Sequence, residues 1–472
     1  MSSHEGFLQA ILDDPEDDAR RLVYADWLDE NGDPERAELI RVQCELARGV
    51  EDGERLVALK THERALCRAN GERWLGPLWS DITTRFERGT ACLLLTLSEF
   101  HSKKVQRAAP EWFVRGGVQE LSLHGPTRLL SAAAASPLLA RLHTLSLVCA
   151  TVHDENAKQL AASPHVSNLR SLAMKGNHLG EEGLAALTSS PCLSRLTSLC
   201  LDDLHIGVRA IRGVLDSPHL ANLTDFDLSY HGRRRAQDFA SLADCSGLRR
   251  LRRLNLHGNK IRPAGLRALV NSGNLAELVE LNLGLNPLGE NGCEILARTQ
   301  GLGKLQRLRM SCCQVHRFGA EWLICSPRLP SLTELDLSFN RVDEAGVAAL
   351  ASLPQLGRLQ TLRLGGRQLL DPGARALAAS PHLGRLKELD LSFCQFSANG
   401  IRALANSPNL SNLRVLNLDH SCPEPCADAV TELASARGIP RLARLSLSGW
   451  KIDDAGRAAL QSRFGGRALL QW

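Results

Sequence analysis

Aromatic residues make up only 4% of this 472-residue chain, with just two tyrosines. A core of this size must therefore be built from aliphatic side chains, and an apolar content of 44% is enough for one. No stretch approaches the roughly 18–20 consecutive apolar residues of a membrane helix, so no membrane partner is expected. Residues 1–12 have neither a basic start nor the long apolar run that export requires. The 14 cysteines are scattered, and without an export signal they read as reduced thiols in the cytoplasm. The sequence also lacks a P-loop, a dinucleotide-binding glycine run, HExxH and GxSxG. No serine–histidine–acid set is assembled by spacing, so neither an enzyme nor a cofactor is predicted. Charge of one sign is lacking too. The net charge is +4, with 22 acidic and 16 basic residues in 1–115 (−6) and 30 and 40 in the remainder (+10). That imbalance does not by itself call for nucleic acid.

What the chain has is a period. The pattern LxxLxL begins at Val118, Leu142, Leu169, Leu196, Leu223, Leu251, Leu278, Leu305, Leu332, Leu359, Leu386, Leu413 and Leu442. The spacing is 24, then 27 almost throughout, with 28 at Leu223–Leu251 and 29 at the end. Self-similarity of this kind marks a leucine-rich repeat solenoid of α/β class, with about 13 repeats of 27 residues. Within 169–195, Leu169, Leu172 and Met174 surround a short strand, Asn177 turns the chain, and Gly180–Gly183 opens a helix. Leu184 and Leu187 form that helix's inner stripe, and Ser190-Pro191 ends it. The turn position is Asn177, Asn259, Asn286 and Asn340, and Cys at Cys313 and Cys394. It is irregular at Leu204, His231, Arg367, Ser421 and Trp450, where a looser fold is expected. The 27-residue unit with a full helix resembles the ribonuclease-inhibitor-like horseshoe class, which also includes activators of small GTPases.

In LxxLxL the third and fifth positions face away from the core and line the concave sheet. They are small and neutral from Thr144 to Cys200. Charge then alternates from strand to strand: Asp225 and Asp227, Arg253, Glu280, Arg307 and Arg309, Glu334 and Asp336, Arg363, Glu388 and Asp390. Opposite charges should sit side by side on strands about 4.8 Å apart. Two readings stay open: a self-neutralising ladder, or a docking surface for a protein partner. A nucleic-acid groove would keep one sign over several strands.

Residues 1–75 read as helices over 7–12, 18–30, 34–48 and about 53–70. Leu22, Val23, Trp27 and Leu28 give the second its apolar side. Asp26, Asp29, Glu30, Asp33 and Glu35 crowd the corner that follows. With Gly32 at position 6 of a calcium loop, Trp27 would fall on position 1, so the register fails. The corner reads instead as a turn at Asn31-Gly32, with Asp33 as helix cap and Tyr24 and Trp27 as packing anchors. The stretch DDPEDDARRLVYADWLDENGDPERAELIRVQ resembles the repeat-companion domain of planctomycete-type bacteria. Leu22, Tyr24, Ala25, Asp26, Trp27, Leu28, Gly32, Asp33, Ala37, Glu38, Ile40 and Gln43 carry the likeness. It continues through Trp74–Leu78, Arg85–Gly89 and Ala109-Pro110, and departs at Thr90-Ala91-Cys92. The resemblance implies a capping or adaptor module ahead of a repeat array.

His420, Cys422 and Cys426 could offer three zinc ligands, one short of a structural site and at unusual spacing, so no metal is predicted. The expected organisation is a helical companion or capping domain over 1–80, a transition with an irregular first repeat over 81–117, and the solenoid with its C-terminal cap over 118–472. Leu469, Leu470 and Trp472 are expected to shield the last unit. The favoured function is a non-catalytic, monomeric scaffold binding an unidentified protein partner through the concave face. A regulator of an enzyme partner, such as a GTPase activator, and a structural or nucleic-acid-associated protein are the alternatives.

Overall fold

The computed structural model describes residues 3–471 except 16, 51, 77–78, 80–82, 116, 126, 149, 205, 232–238, 367–368, 423–425 and 466–468. Pro77, Leu78, Arg367 and Trp472 lie outside the described residues. The chain divides into two compact units. The first takes Met1–Val50, Leu59–His231 and Cys245–Arg250, and the second Glu51–Ala58, Gly232–Asp244 and Leu251–Trp472.

Four helices come first: α1 (Ser3–Asp13), α2 (Asp18–Glu30), α3 (Pro34–Arg48) and α4 (Gly53–Leu75). The core between α1, α2 and α3 is Leu8, Ile11, Tyr24, Ala25, Leu28, Ala37, Ile40 and Cys44, with Phe7, Leu22 and Trp27 packed against it. Arg21, Tyr24, Ala25 and Leu28 share one stripe of α2 at helical spacing. Val23 falls on the opposite side and is 56% exposed, which corrects its assignment to the apolar face. Asp17 caps α2, its side chain accepting from the Ala19 N–H at 2.9 Å. Asp33 holds the cap position of α3 but makes no side-chain cap bond. Its carboxylate instead accepts from Arg73 at 2.6 Å and from the Trp74 indole N–H at 3.2 Å, tying α4 to the corner.

Buried polar side chains join these helices to the hairpin of β1 (Thr83–Glu87) and β2 (Thr90–Thr96). The Gln43 amide donates to Phe86 O at 2.7 Å and accepts from the Gly89 N–H at 2.8 Å. Arg21 donates to Arg88 O, and Arg36 to Gly89 O. Gly89 sits at φ 82°, and a Cβ there would lie 2.1 Å from Ile40 Cγ1. Glycine is thus required on both counts.

Strands β3 (Glu120–His124), β4 (Thr144–Ser146), β5 (Ser171–Ala173), β6 (Ser198–Cys200) and β7 (Asp225–Asp227) complete the first unit. β1 and β2 are antiparallel, and β2 to β7 run parallel in sequence order. The second unit holds β8 (Arg253–Asn255), β9 (Glu280–Asn282), β10 (Arg307–Arg309), β11 (Glu334–Asp336), β12 (Thr361–Arg363), β13 (Glu388–Asp390), β14 (Val415–Asn417), β15 (Arg444–Ser446) and β16 (Leu469–Gln471). These too are parallel neighbours in sequence order. β16 pairs with β15 in parallel, the Leu447 N–H bonding to Gln471 O at 2.8 Å.

The segment 169–195 shows why each unit folds as it does. Leu169, Leu172 and Met174 are fully buried around β5. The helix Glu181–Thr188 starts on two glutamates, favourable at a helix N-terminus, and buries Gly183, Leu184 and Leu187. Pro191 then opens a short 3₁₀ turn ending at Leu193. Ser190 does more than stop the helix: its hydroxyl donates to Ala161 O of the preceding unit at 2.5 Å. Ser163, Ser217, Ser326, Ser380 and Ser407 make the equivalent bond, as does Thr299. This ladder satisfies helix-end carbonyls that would otherwise be orphaned.

Candidate partner-binding face

The strands alternate half-exposed, buried, half-exposed along their three residues, as in β9 to β14. The buried residue faces the helices, and the other two form an open polar face. In the second unit that face carries a connected set of ion pairs. Glu280 pairs with Arg307 at 3.0 Å and with Arg309 at 3.0 Å. Glu334 pairs with Arg309 at 3.5 Å and with Arg363 at 2.5 Å, and Arg363 reaches Glu388 at 2.7 Å. Burial disfavours the Arg363 charge, yet the bonds to Glu334 and the field of Glu388 more than offset it and hold the guanidinium above its ordinary range.

The Glu280–Arg307 pair is directly opposed, as alternation suggests, but the pairs of Arg309 and Arg363 are not. Arg309 stands opposite Asn282 and Asp336, and Arg363 opposite Asp336 and Asp390, but both arginines bridge diagonally to glutamates. The reason is that the fifth-position acids are already engaged. Asp336 accepts from the Ser338 N–H at 2.8 Å and Asp390 from the Ser392 N–H at 2.8 Å. Asp227 likewise accepts from the Ser229 N–H at 2.9 Å. Such bonds to the backbone two residues on stabilise a turn. Third-position glutamates therefore carry the pairing, and fifth-position acids shape the strand exit. Asp225 is half-buried on β7 and accepts from Thr224 Oγ1 at 2.8 Å, while Arg253 is exposed on β8.

In the first unit the same face is small and neutral from β4 to β6. A hollow of about 440 Å³ opens there among Thr84, Leu93, Leu94, Ser122, Thr144, Ser146 and Ala173. At its edge Glu87, Cys92 and Glu120 form the one cluster of three potential metal ligands among the described residues. Arg85 reaches both glutamates, at 3.3 and 3.4 Å. Burial, with the Glu120 charge beside it, holds Cys92 as a thiol far above its ordinary range. The cluster is an ion pair around a buried thiol.

The turn asparagines knit successive units together. Asn286 Oδ1 accepts from the Asn259 and Ile261 N–H groups at 3.1 and 2.8 Å. Its Nδ2 donates to Leu256 O at 2.9 Å and Leu283 O at 2.8 Å. Asn177 and Asn340 repeat this set, and Asn259 is fully buried at the same position. Cys313 keeps only the donor half, Sγ to Leu283 O at 3.0 Å, and the Leu288 N–H turns to Asn286 O instead. The Cys394 thiol lies 3.7 Å from Ser392 O. Two irregular residues supply the same donor: Ser421 Oγ to Leu391 O at 2.6 Å and Trp450 Nε1 to Leu418 O at 2.7 Å. Asn, Cys, Ser and Trp can thus all supply the buried donor, and these two turns are not loose for want of asparagine, whereas Leu204 is buried at the same position without one.

The remaining candidates are accounted for by local partners. Asp26 and Asp29 both pair with Arg41, at 2.7 and 2.6 Å, and Asp33 and Glu35 both pair with Arg73, at 2.6 and 2.9 Å. Two arginines thus engage four of the five acids of the corner, with Glu30 exposed beside them, and the four are held in ion pairs rather than gathered as a calcium loop. Tyr24 is buried and Trp27 half-buried, stacked at 6.3 Å between ring centres. His420 stacks on Phe393 at 4.8 Å, and His420, Cys422 and Cys426 form no ligand cluster among the described residues. No helix among the described residues is long and apolar enough to cross a membrane.

Strand, buried-donor turn and helix in repeating order define a mixed α/β repeat protein of leucine-rich type, preceded by a structured helical region. A family model described as leucine-rich repeat matches residues 165–187, 248–270, 328–351 and 386–405. No curated protein matches the chain. Similar solved structures include an internalin, InlF, of Listeria monocytogenes, at 19% identity over 71% of this chain and 82% of that one, with a TM-score of 0.40. A chain from the yeast Rad7–Elc1 complex matches at 14% identity over 90% of each chain, with a TM-score of 0.47.

Proposed function

We propose that the protein is a non-catalytic scaffold that binds a protein partner through the concave face of its strands, in the cytoplasm and as a monomer. The observation that carries this reading is the open face itself. Its side chains are not needed for the core, yet they are held in place by ion pairs and turn bonds. A face ordered before binding loses less side-chain entropy on association. The charges pair internally, which favours a protein surface over a phosphate backbone as partner. Residues 1–80 act as the companion or capping domain, 81–117 as the transition, and 118–472 as the solenoid. The cap reading is supported by Gln119 donating to Leu8 O and by Arg170 donating to the last carbonyls of α1, Leu12 O and Asp13 O. A cation is favourable at that end of a helix. The test is affinity capture from native lysate with the wild type and with Arg307, Arg309, Glu334 and Asp336 all changed to alanine, both shown folded by circular dichroism. Loss of a partner from the variant supports the concave-face reading, and an unchanged set of partners leaves the ladder a stabilising device only.

A further inference from the structure

The residue just before each turn donor lies in the left-handed region of φ. Glycine fills it at Gly176, Gly258 and Gly449, as that geometry favours. Asp203 and Tyr230 hold it in the first unit, at φ 55° and 62°. Between Gly258 and Gly449, the second unit holds there Leu285, Cys312, Phe339, Phe393 and His420, with φ between 53° and 58°. Their N–H groups continue the strand ladder, as Leu285 does to Ser311 O at 2.8 Å, which fixes the left-handed conformation. Leu285 is 44% exposed, Phe339 49% and Phe393 38%. Phe339 and Phe393 meet at 5.5 Å, and Phe393 stacks on His420. Between them Gly366 clears the way, since a Cβ there would stand 3.3 Å from the Phe339 backbone. Bulky apolar side chains are thus kept in strained backbone and in water, the combination associated with binding sites rather than with folding.

We infer that this ridge, from Leu285 to His420, is a docking strip for an extended acidic peptide segment bearing aliphatic or aromatic side chains. The inference rests on the scaffold reading and deepens it by moving the apolar contacts to the rim and naming the partner's chemistry. The charge on offer decides the sign. Asp336 and Asp390 are bound into their own turns, and Asp419 accepts from Ser446 and Ser448. Arg341, two residues beyond Phe339, is exposed and makes no side-chain ion pair or hydrogen bond among the described residues. A carboxylate is its complement. Five strand spacings of about 4.8 Å span roughly 24 Å, the reach of about seven extended residues. Single-stranded nucleic acid fits less well. The neighbouring open face carries its own carboxylates, and the Phe393–His420 stack is already closed against a base.

The test is selection of a phage-displayed library of random 12-residue peptides on the full chain, followed by fluorescence anisotropy with the winning peptide. The expected consensus combines Asp or Glu with Leu, Phe or Trp. The F339G/F393G double variant should weaken binding at least tenfold while its melting temperature is unchanged or raised, because glycine relieves the backbone. An Arg341→Glu variant should prefer peptides with Lys in place of the acids. A basic consensus, no selected peptide, or full binding by the double variant would overturn the ridge. So would tighter binding of a 12-nucleotide oligouridylate that depends on Phe339 and Phe393. A peptide lost only on Arg307→Ala/Arg309→Ala would overturn the ridge and leave the concave scaffold standing.

Discussion

Replacing Asn286 by alanine tests the idea that buried turn donors hold successive units together. Asn286 is wholly buried and makes bonds at both ends of its amide. Alanine would leave the Asn259 and Ile261 N–H groups without their acceptor in a place water does not reach. Each orphaned buried group costs about 1–3 kcal/mol, so the loss for the two should be about 2–6 kcal/mol. Cys313→Ala is the internal control. Its thiol donates to Leu283 O, but that carbonyl also accepts from Asn286, so no group is stranded. A weak S–H donor is all that goes, and the cost should be about 1 kcal/mol. Urea denaturation gives the overall change, and hydrogen exchange at Asn259 and Ile261 locates it. Equal losses for the two variants, or a cost for Asn286→Ala below about 1 kcal/mol, would refute the reasoning.

Ser380→Ala removes the bond to Ala351 O at 2.5 Å and should cost about 1–2 kcal/mol by denaturant titration; a neutral result would make the serine ladder incidental. His231 is buried, and that burial depresses its pKa from 6.5 against the pull of the Leu201 and Leu204 carbonyls. Its contribution to stability is therefore complete above pH 6.5 and is lost as the pH falls toward the depressed value. His231→Gln should flatten that slope in melting curves between pH 7 and 5. Burial pushes the Cys313 and Cys394 thiols up to about 12, whereas Cys325 is exposed. Ellman's reagent at neutral pH should modify Cys325 quickly and Cys313 and Cys394 only on unfolding. Fast labelling of all three would show that the turn cysteines are accessible.

The leucine positions, the short strands and the first four helices were legible because each follows a period that one chain segment carries by itself. The helix of 181–188 and its stripe of Leu184 and Leu187 could be written down from spacing alone. The side of Val23 could not, because it depends on which stripe of α2 meets α3. The open face was legible as a list of residues but not as a wiring diagram. Asp336 and Asp390 alternate in sign with Arg363, yet their carboxylates turn to their own chain, and only three-dimensional geometry shows the diagonal to Glu334 and Glu388. The serine ladder hid behind Ser-Pro, whose local meaning as a helix stop was sufficient to explain it. The ridge of Leu285, Phe339 and Phe393 carried a signal that went unread: large residues at a position where the same repeat elsewhere places glycine. Local preference broken without a packing gain is where a functional demand is expected to show.

The central claim is that a protein partner meets the open face of the strands. Site-specific photo-crosslinking tests it directly, with a benzophenone amino acid placed singly at Thr361 on that face and at Arg298 on an exposed helix surface. Crosslinks to a distinct polypeptide from Thr361 and none from Arg298 are the predicted result. Crosslinks from Arg298 with none from Thr361 would contradict the account.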